Sequence, residues 1–385
     1  MSNRWLILWV LFFARTMMAF QYQSVAALSP FIADSYAASL TDIGLLIGLY
    51  LGPGVVVAIP GGSLAARFGD RRVVGWSLVA MLAGGLMMIE GDSWLVLMAG
   101  RVLAGIGGVV VNIVMTKMLV DWFTGHKIGT AMGIFISSWP IGIALALLVL
   151  PWLASFGGLM AGWLGMSVLV AIALAMFLGI YRPAPGTEDA SSAKGSREFP
   201  VAALSLAAIV WALYNTALAM VFGFGSLVLI QQGAAATSAA SVIGIFTFMV
   251  GVGVPFGGAL SDKIGRDPVI FFSFAASAVA LPLLLSVPSS WAVPAFALAG
   301  LAMGLCPGPI MTMPGPVLPA EARAFGMGVF FAVYYAAMMV GPALGGGVAE
   351  LTGDAGTAFW LATAMLVASI ASLMAFRRTT VPDAA

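Results

Sequence analysis

Two arginines, Arg15 and Arg101, stand inside long apolar runs of the chain. Insertion scales put a guanidinium at the centre of a membrane-spanning helix at about 2.5–3.5 kcal/mol, so each of these residues needs a partner or an aqueous cavity. The group keeps its charge and offers five N–H donors in a rigid fork that fits the two oxygens of a carboxylate. The chemistry this supports is the binding of an anion. Arg15 lies ten residues into its run, roughly 15 Å along a helix that rises 1.5 Å per residue. Met18, Ala19, Tyr22 and Ala26 share its face, and Gln23 flanks it. Arg15 is read either as a cavity-facing anion ligand or as a tie to backbone carbonyls of a neighbouring helix.

Arg101 shares a helical stripe with Gly105, Gly108 and Asn112. Those glycines permit close helix approach or leave room for a ligand, so Arg101 is open to the same two readings. In the second half of the chain, Trp211, Tyr214, Asn215, Leu218 and Phe222 form one face of a run. An amide among aromatics suits a small polar ligand, and it equally suits packing. Tyr334 and Tyr335 allow the same pair of readings. Pro140, Pro307, Pro309, Pro314 and Pro316 are expected to interrupt their helices and to mark pliant segments beside a site, or passive kinks.

Other chemistries find little support. One histidine, His126, rules out a multi-histidine metal site, and one cysteine, Cys306, rules out an intrachain disulfide or a cysteine metal cluster. No H-E-x-x-H occurs and no serine–base pair can be picked out, so neither an enzyme nor any cofactor is expected. A net charge of +1 gives no reason to expect nucleic acid as a partner.

The elements that must carry these residues follow from composition. Of 385 residues, 62% are hydrophobic and 8% charged, against roughly 45–50% and about 25% in soluble domains. Most of this surface must therefore face lipid, which offers a backbone no hydrogen bonds, so the spans are helices or a closed barrel. The apolar runs are long and unbroken rather than short and alternating, which selects helices. Twelve runs approach or exceed the roughly 20 residues a crossing needs: 5–28, 43–65, 73–89, 94–120, 128–153, 159–181, 201–227, 241–260, 269–286, 291–317, 325–348 and 357–376. The first could pass for a signal peptide, but its length and Arg15 mark it as a retained span. The one long polar stretch, 182–199, reads as a flexible linker between a six-helix bundle at 1–181 and another at 200–385.

Charge placement orients the chain. With the N-terminus inside, the inner loops and adjacent ends carry Arg4, Arg67, Arg71, Arg72, Lys117, Lys127, Arg182, Lys194, Arg197, Lys263, Arg266, Arg323, Arg377 and Arg378. The outer loops carry no Lys or Arg. Lys117, near an inner end, is expected to snorkel to the headgroups. This is the positive-inside pattern, with both termini and the linker cytoplasmic.

The two halves echo each other. Gly62, Leu64 and Arg67 match Gly258, Leu260 and Lys263 at a constant offset of 196, as Gly48 and Gly61 match Gly244 and Gly257. The segments Gly62-Ser63-Leu64-Ala65-Ala66-Arg67-Phe68-Gly69 and Gly258-Ala259-Leu260-Ser261-Asp262-Lys263-Ile264-Gly265-Arg266 resemble the G-x-L-x-D-R/K-x-G-R/K signature of the major facilitator superfamily. Arg101-Val102-Leu103-Ala104-Gly105-Ile106-Gly107 looks like its R-x-x-x-G-x-G signature, and Gly341-Pro342-Ala343-Leu344-Gly345-Gly346 is similar to its G-P-x-x-G-G motif. The general look of spans one, two and five resembles the cyanate- and nitrate-permease branch.

The resemblance implies an all-α membrane protein of two pseudo-symmetric six-helix bundles, working by alternating access as a monomer in the inner (cytoplasmic) membrane. It also implies gating roles for Arg67, Asp262, Lys263 and Arg266. Ala66 stands where the family usually has Asp, so a latch carboxylate is expected only at Asp262.

Together these features read as a transporter for a small organic or inorganic anion, with Arg15, Tyr22, Gln23, Arg101, Asn112, Trp211, Asn215 and Tyr334 as candidate substrate-binding residues. An exporter of apolar or cationic drugs is the alternative within the family, and a membrane sensor or enzyme the alternative outside it. The orientation is directly testable. A single cysteine placed in the 182–199 linker, in a Cys306-free background, is expected to resist an impermeant thiol reagent in intact cells and to react once the membrane is opened. Labelling in intact cells would reverse the orientation.

Overall fold

A computed structural model describes residues 4–38, 40–90, 93–123, 127–184 and 199–380. His126 and most of the expected linker lie outside the described residues. In chain order the helices are α1 (Arg4–Ala27), α2 (Ser29–Tyr36), α3 (Leu40–Leu51), α4 (Gly54–Phe68), α5 (Asp70–Glu90), α6 (Trp94–Phe123), α7 (Ile128–Ile180), α8 (Val201–Gln231), α9 (Ala236–Ile264), α10 (Arg266–Leu284), α11 (Ala292–Gly304), α12 (Pro307–Met311), α13 (Pro314–Val317), α14 (Arg323–Thr352) and α15 (Thr357–Thr380).

Among the described residues, eleven stretches are long and apolar enough to cross a membrane. One of them, α7, carries two of the expected spans. Its backbone leaves helical geometry at Gly157 (φ −143°, ψ 26°) and Gly158 (φ 63°, ψ −162°). A positive φ is open to glycine at no steric penalty, and here it separates the spans expected at 128–153 and 159–181. All twelve segments are thus accounted for. The second is the pair α3 and α4, interrupted at Gly52-Pro53, and the tenth is broken into α11, α12 and α13. Pro307 and Pro314 each open a new short helix, where the missing N–H does least harm. Pro140 does not interrupt its helix, contrary to the sequence expectation: α7 continues through it and through Pro151. A proline inside a membrane helix removes one bond without ending the helix, because neighbouring groups re-satisfy the freed carbonyl.

The side chains are distributed as a lipid solvent requires. Leu148, Phe156 and Leu351 are exposed, whereas Arg15, Arg101, Asn112, Thr116 and Ser138 are buried. Small residues set the helix spacing. A Cβ on Gly84 would meet the Gly100 carbonyl oxygen at 2.4 Å, so α5 and α6 run with their backbones touching.

The chain forms two compact units. The first comprises Met1–Thr124, Ser138–Glu198 and Pro319–Ala332, and the second Gly125–Ser137, Phe199–Leu318 and Val333–Ala385. Helices α7 and α14 each begin in one unit and continue in the other. The sequence repeat has a structural counterpart in each unit. Gly69 (φ 84°) ends α4 and Gly265 (φ 88°) ends α9, both with a backbone conformation that favours glycine. A Cβ on Gly62 would lie 2.1 Å from the Ala324 carbonyl oxygen, and one on Gly258 would lie 2.3 Å from that of Gly129. The repeated glycine is therefore a point of backbone contact in both units.

Candidate functional site

In the first unit, Arg15 occupies the midpoint of α1 and is 5% exposed. Two neighbouring helices orient its guanidinium. From α6, the Asn112 Oδ1 accepts a hydrogen bond from Nε at 3.0 Å. From α7, the Ser138 Oγ accepts one from Nη1 at 3.0 Å. The ring of Trp139 lies 5.9 Å from the guanidinium carbon, within cation–π range. Helix α7 comes this close because Gly142, one turn beyond Ser138, has no side chain: a Cβ there would meet the Thr16 carbonyl oxygen at 2.4 Å. Tyr22, one helical face-step from Arg15, packs against Trp139 at 5.1 Å and against Tyr50 at 5.8 Å. These two acceptors are neutral side chains, and their bonds help to fix the direction of the guanidinium.

Arg101 is placed differently. It is fully buried, and all three of its nitrogens donate to backbone carbonyls: Nε to Leu46 at 3.0 Å, Nη1 to Gln21 at 2.7 Å and Nη2 to Tyr22 at 2.5 Å. Its guanidinium carbon lies 4.6 Å from the Tyr50 ring centre. Arg101 thus ties α6 to α1 and α3. The glycines on its stripe make room for that tie, since a Cβ on Gly105 would meet the Tyr50 carbonyl oxygen at 2.3 Å and one on Gly108 the Tyr50 hydroxyl at 2.5 Å. Gln23 is half-buried and takes no part in this network among the described residues. Gln21 does, through the carbonyl that accepts from Arg101, and its Nε2 donates to the Met81 carbonyl at 2.9 Å.

In the second unit, Trp211 packs between Tyr214 (6.0 Å) and Tyr334 (5.9 Å), and Tyr334 rests on Tyr335 at 4.9 Å. The Tyr214 hydroxyl donates to the Met303 carbonyl at 3.1 Å, and Asn215 Nδ2 donates to the Trp211 carbonyl at 2.7 Å.

The signature loops carry the other polar constellation. Asp262 accepts from the backbone amides of Gly129 (2.9 Å) and Thr130 (2.8 Å) and from the Thr130 hydroxyl. It thereby caps the N-terminus of α7, where unpaired N–H groups and the helix dipole favour a negative charge. Arg266 bonds Asp267 at 3.2 Å and the Thr312 carbonyl at 3.3 Å. Arg67 lies over Phe68 at 5.2 Å and, like Lys263, is exposed. The first unit has Ala66 where a latch carboxylate is expected, and Asp121 near the end of α6 holds Arg323 at the start of α14. Lys117 joins Asp121 (3.0 Å) to Asp70 (2.5 Å) rather than reaching out to headgroups.

Sequence reasoning did not single out Tyr50, Ser138, Trp139, Asp121 or Thr130 as site residues. The usable signal for the first three was a hydroxyl or indole within a long apolar run. Asp121 and Arg323 are 202 residues apart, with nothing in the sequence to pair them.

The described residues thus form a polytopic helical bundle with buried, oriented polar groups. The model of the Major Facilitator Superfamily matches residues 11–231 and 201–385, and the chain belongs to that family. It resembles the Probable L-galactonate transporter of Escherichia coli (strain K12), 29% identical over 176 residues, covering 44% of this chain and 37% of that protein. The oxalate:formate antiporter of Oxalobacter formigenes is 25% identical over 335 residues, 83% of this chain and 77% of that one. In fold the chain matches a proton:xylose symporter with a TM-score of 0.81 at 14% identity, over 98% of this chain and 96% of the other.

The Arg101 tie predicts a loss of stability. Replacing it with Lys or Gln breaks hydrogen bonds from a charged group, each worth about 1.5–3 kcal/mol. Thermal unfolding followed through the single, buried thiol of Cys306 should show a lower melting temperature in both variants. An unchanged melting temperature would contradict this role.

Proposed function

We propose that this transporter carries a small organic anion, and that Arg15 binds it. The observation that carries the reading is a buried guanidinium at the midpoint of α1, oriented by Asn112 and Ser138, both neutral. Charge placement supports it. In the described helices every Asp and Glu stands in a first or last turn, whereas Arg15 is as far from either end of its helix as it can be. In a site of low effective dielectric a cation attracts an anion far more strongly than in water. The names of two relatives, one for L-galactonate and one for oxalate and formate, point to the same class of solute.

In this reading Tyr22 and Trp139 wall the site, Asn112 and Ser138 aim the guanidinium, and Arg101 positions α1 without meeting the solute. The one-sided Lys and Arg pattern supports an N-terminus and a 182–199 linker on the cytoplasmic side of the inner membrane. Asp262, with Arg67, Lys263 and Arg266 around the repeated loops, works as a cytoplasmic gate by capping α7, and the Asp121–Arg323 pair is its first-unit counterpart.

Calorimetry with oxalate and with L-galactonate on the purified chain tests the binding claim. Arg15→Lys should stay folded and bind more weakly, because an ammonium cannot reproduce a paired N–H grip on a carboxylate. Arg15→Gln should lose about ten- to a hundred-fold in affinity, the equivalent of about 1.5–3 kcal/mol for a charged hydrogen bond. Unchanged affinity in Arg15→Gln would remove the anion reading. For the gate, Asp262→Asn should slow turnover in proteoliposomes and leave solute affinity near wild type, and it should do so more than Ala66→Asp. Wild-type turnover in Asp262→Asn would exclude the gate.

A further inference from the structure

Three exposed arginines, Arg67, Arg71 and Arg72, flank the turn at Gly69 between α4 and α5. None of them has a carboxylate within ion-pair distance among the described residues. The acids at this end of the first unit are committed to other cations: Asp70 to Lys117 at 2.5 Å, and Asp121 to Lys117 at 3.0 Å and to Arg323. Arg71 spends one bond on the Leu178 carbonyl at 2.6 Å. Arg72 makes no hydrogen bond among the described residues.

These cations stand on an aromatic and aliphatic surface. The Arg67 guanidinium carbon lies 5.2 Å from the Phe68 ring centre, and Phe68 meets Trp76 edge-on at 5.5 Å. On α5, Arg72, Trp76, Val79 and Leu86 share one face at helical spacing, and all four are exposed. From Arg72 to Leu86 that face runs roughly 21 Å, more than one leaflet of a hydrocarbon core about 30 Å thick. The sequence repeat supplies an internal comparison. At the offset of 196, Arg71, Arg72 and Trp76 correspond to Asp267, Pro268 and Phe272. There Asp267 holds Arg266 at 3.2 Å and Arg377 at 3.4 Å. The second unit thus pairs its cations at this position, and the first leaves them open. Orientation in a membrane asks only for basic residues on one side. It does not ask for an open guanidinium on a face that continues into lipid.

We propose that this face of the first unit is a binding site for an anionic phospholipid, with the phosphate on Arg67 and Arg72 and one acyl chain along Val79 and Leu86. A phosphate takes paired N–H bonds from a guanidinium. An indole suits the boundary between headgroup and chain, where Trp76 stands. The apolar face that continues from the cations fits a lipid and has no use in holding free phosphate. The inference does not rest on the anion reading of Arg15, and it holds for either orientation of the chain.

The test is a titration of the full-length chain, purified and stripped of lipid in a neutral detergent, with dioleoylphosphatidylglycerol and with dioleoylphosphatidylcholine. A lipid that binds the folded state alone raises the melting temperature. The phosphatidylglycerol should act at lower concentration than the phosphatidylcholine. Arg72→Gln should weaken phosphatidylglycerol by about five-fold, the equivalent of about 1 kcal/mol for one basic residue at a membrane surface, and leave phosphatidylcholine unchanged. Arg67→Gln should act in the same direction, and it provides the reading if Arg72→Gln does not yield monodisperse protein. Arg378→Gln removes the same charge from an exposed position at the end of α15 and should leave the affinity for phosphatidylglycerol at the wild-type level.

Equal wild-type affinity for the two lipids would overturn the proposal, whatever the variants do. So would equal weakening by Arg72→Gln and Arg378→Gln, as diffuse surface charge would give, or no weakening by Arg72→Gln and Arg67→Gln. Inorganic phosphate at the concentration of the lipid is the last arm. It should leave the melting temperature unchanged. A rise equal to that with phosphatidylglycerol would assign the arginines to free phosphate and defeat the lipid site.

Discussion

A guanidinium held at the middle of a membrane-spanning helix is the constraint around which the first unit is built. Placing Arg15 in lipid without polar company would cost about 2.5–3.5 kcal/mol on insertion scales. The chain therefore brings an amide from α6 and a hydroxyl from α7 to within 3.0 Å of it. Helix α7 can approach α1 because Gly142 has no side chain where it meets the Thr16 carbonyl. Arg101 serves the same arrangement further along α1. By grasping the carbonyls of Gln21 and Tyr22 it fixes the part of α1 that carries Tyr22.

The two arginines show why residue type alone does not assign a role. Both are buried, both lie in apolar runs, and both have glycines nearby. Their difference lies in what receives their N–H groups. Backbone carbonyls bind Arg101 as a permanent part of the helix packing, whereas side chains of Asn112 and Ser138 aim Arg15. The repeated loops show the same economy of means in two forms. Asp262 uses the free amides at the start of α7, and Asp121 uses the side chain of Arg323, so a carboxylate meets a helix start in each unit although Ala66 breaks the sequence repeat.

Much of the architecture was legible because lipid imposes it. Long apolar runs must be helices, and the constant offset between Gly62 and Gly258 carried through to matching backbone contacts and to matching positive φ angles at Gly69 and Gly265. The face bearing Arg15 and Tyr22 was legible from helical spacing. The fate of Arg101 was not, because its partners are main-chain carbonyls that every residue possesses and no sequence distinguishes. Tyr50 was missed for a related reason: its place beside Arg101 depends on α3 packing against α6, and not on spacing within a single helix. The passage of α7 through Pro140 also escaped the sequence, since whether a proline breaks a membrane helix depends on what its neighbours supply.

The central claim is that a positive charge in the first unit selects the solute by its negative charge. The most direct measurement is the melting temperature of purified wild-type protein with matched pairs of a carboxylate and its amide, such as acetate with acetamide and oxalate with oxamide. A ligand that binds the folded state alone raises that temperature in proportion to its affinity. Stabilisation by the carboxylates and none by the amides is the predicted result. Equal stabilisation by both members of each pair, or stabilisation by amines alone, would contradict the account.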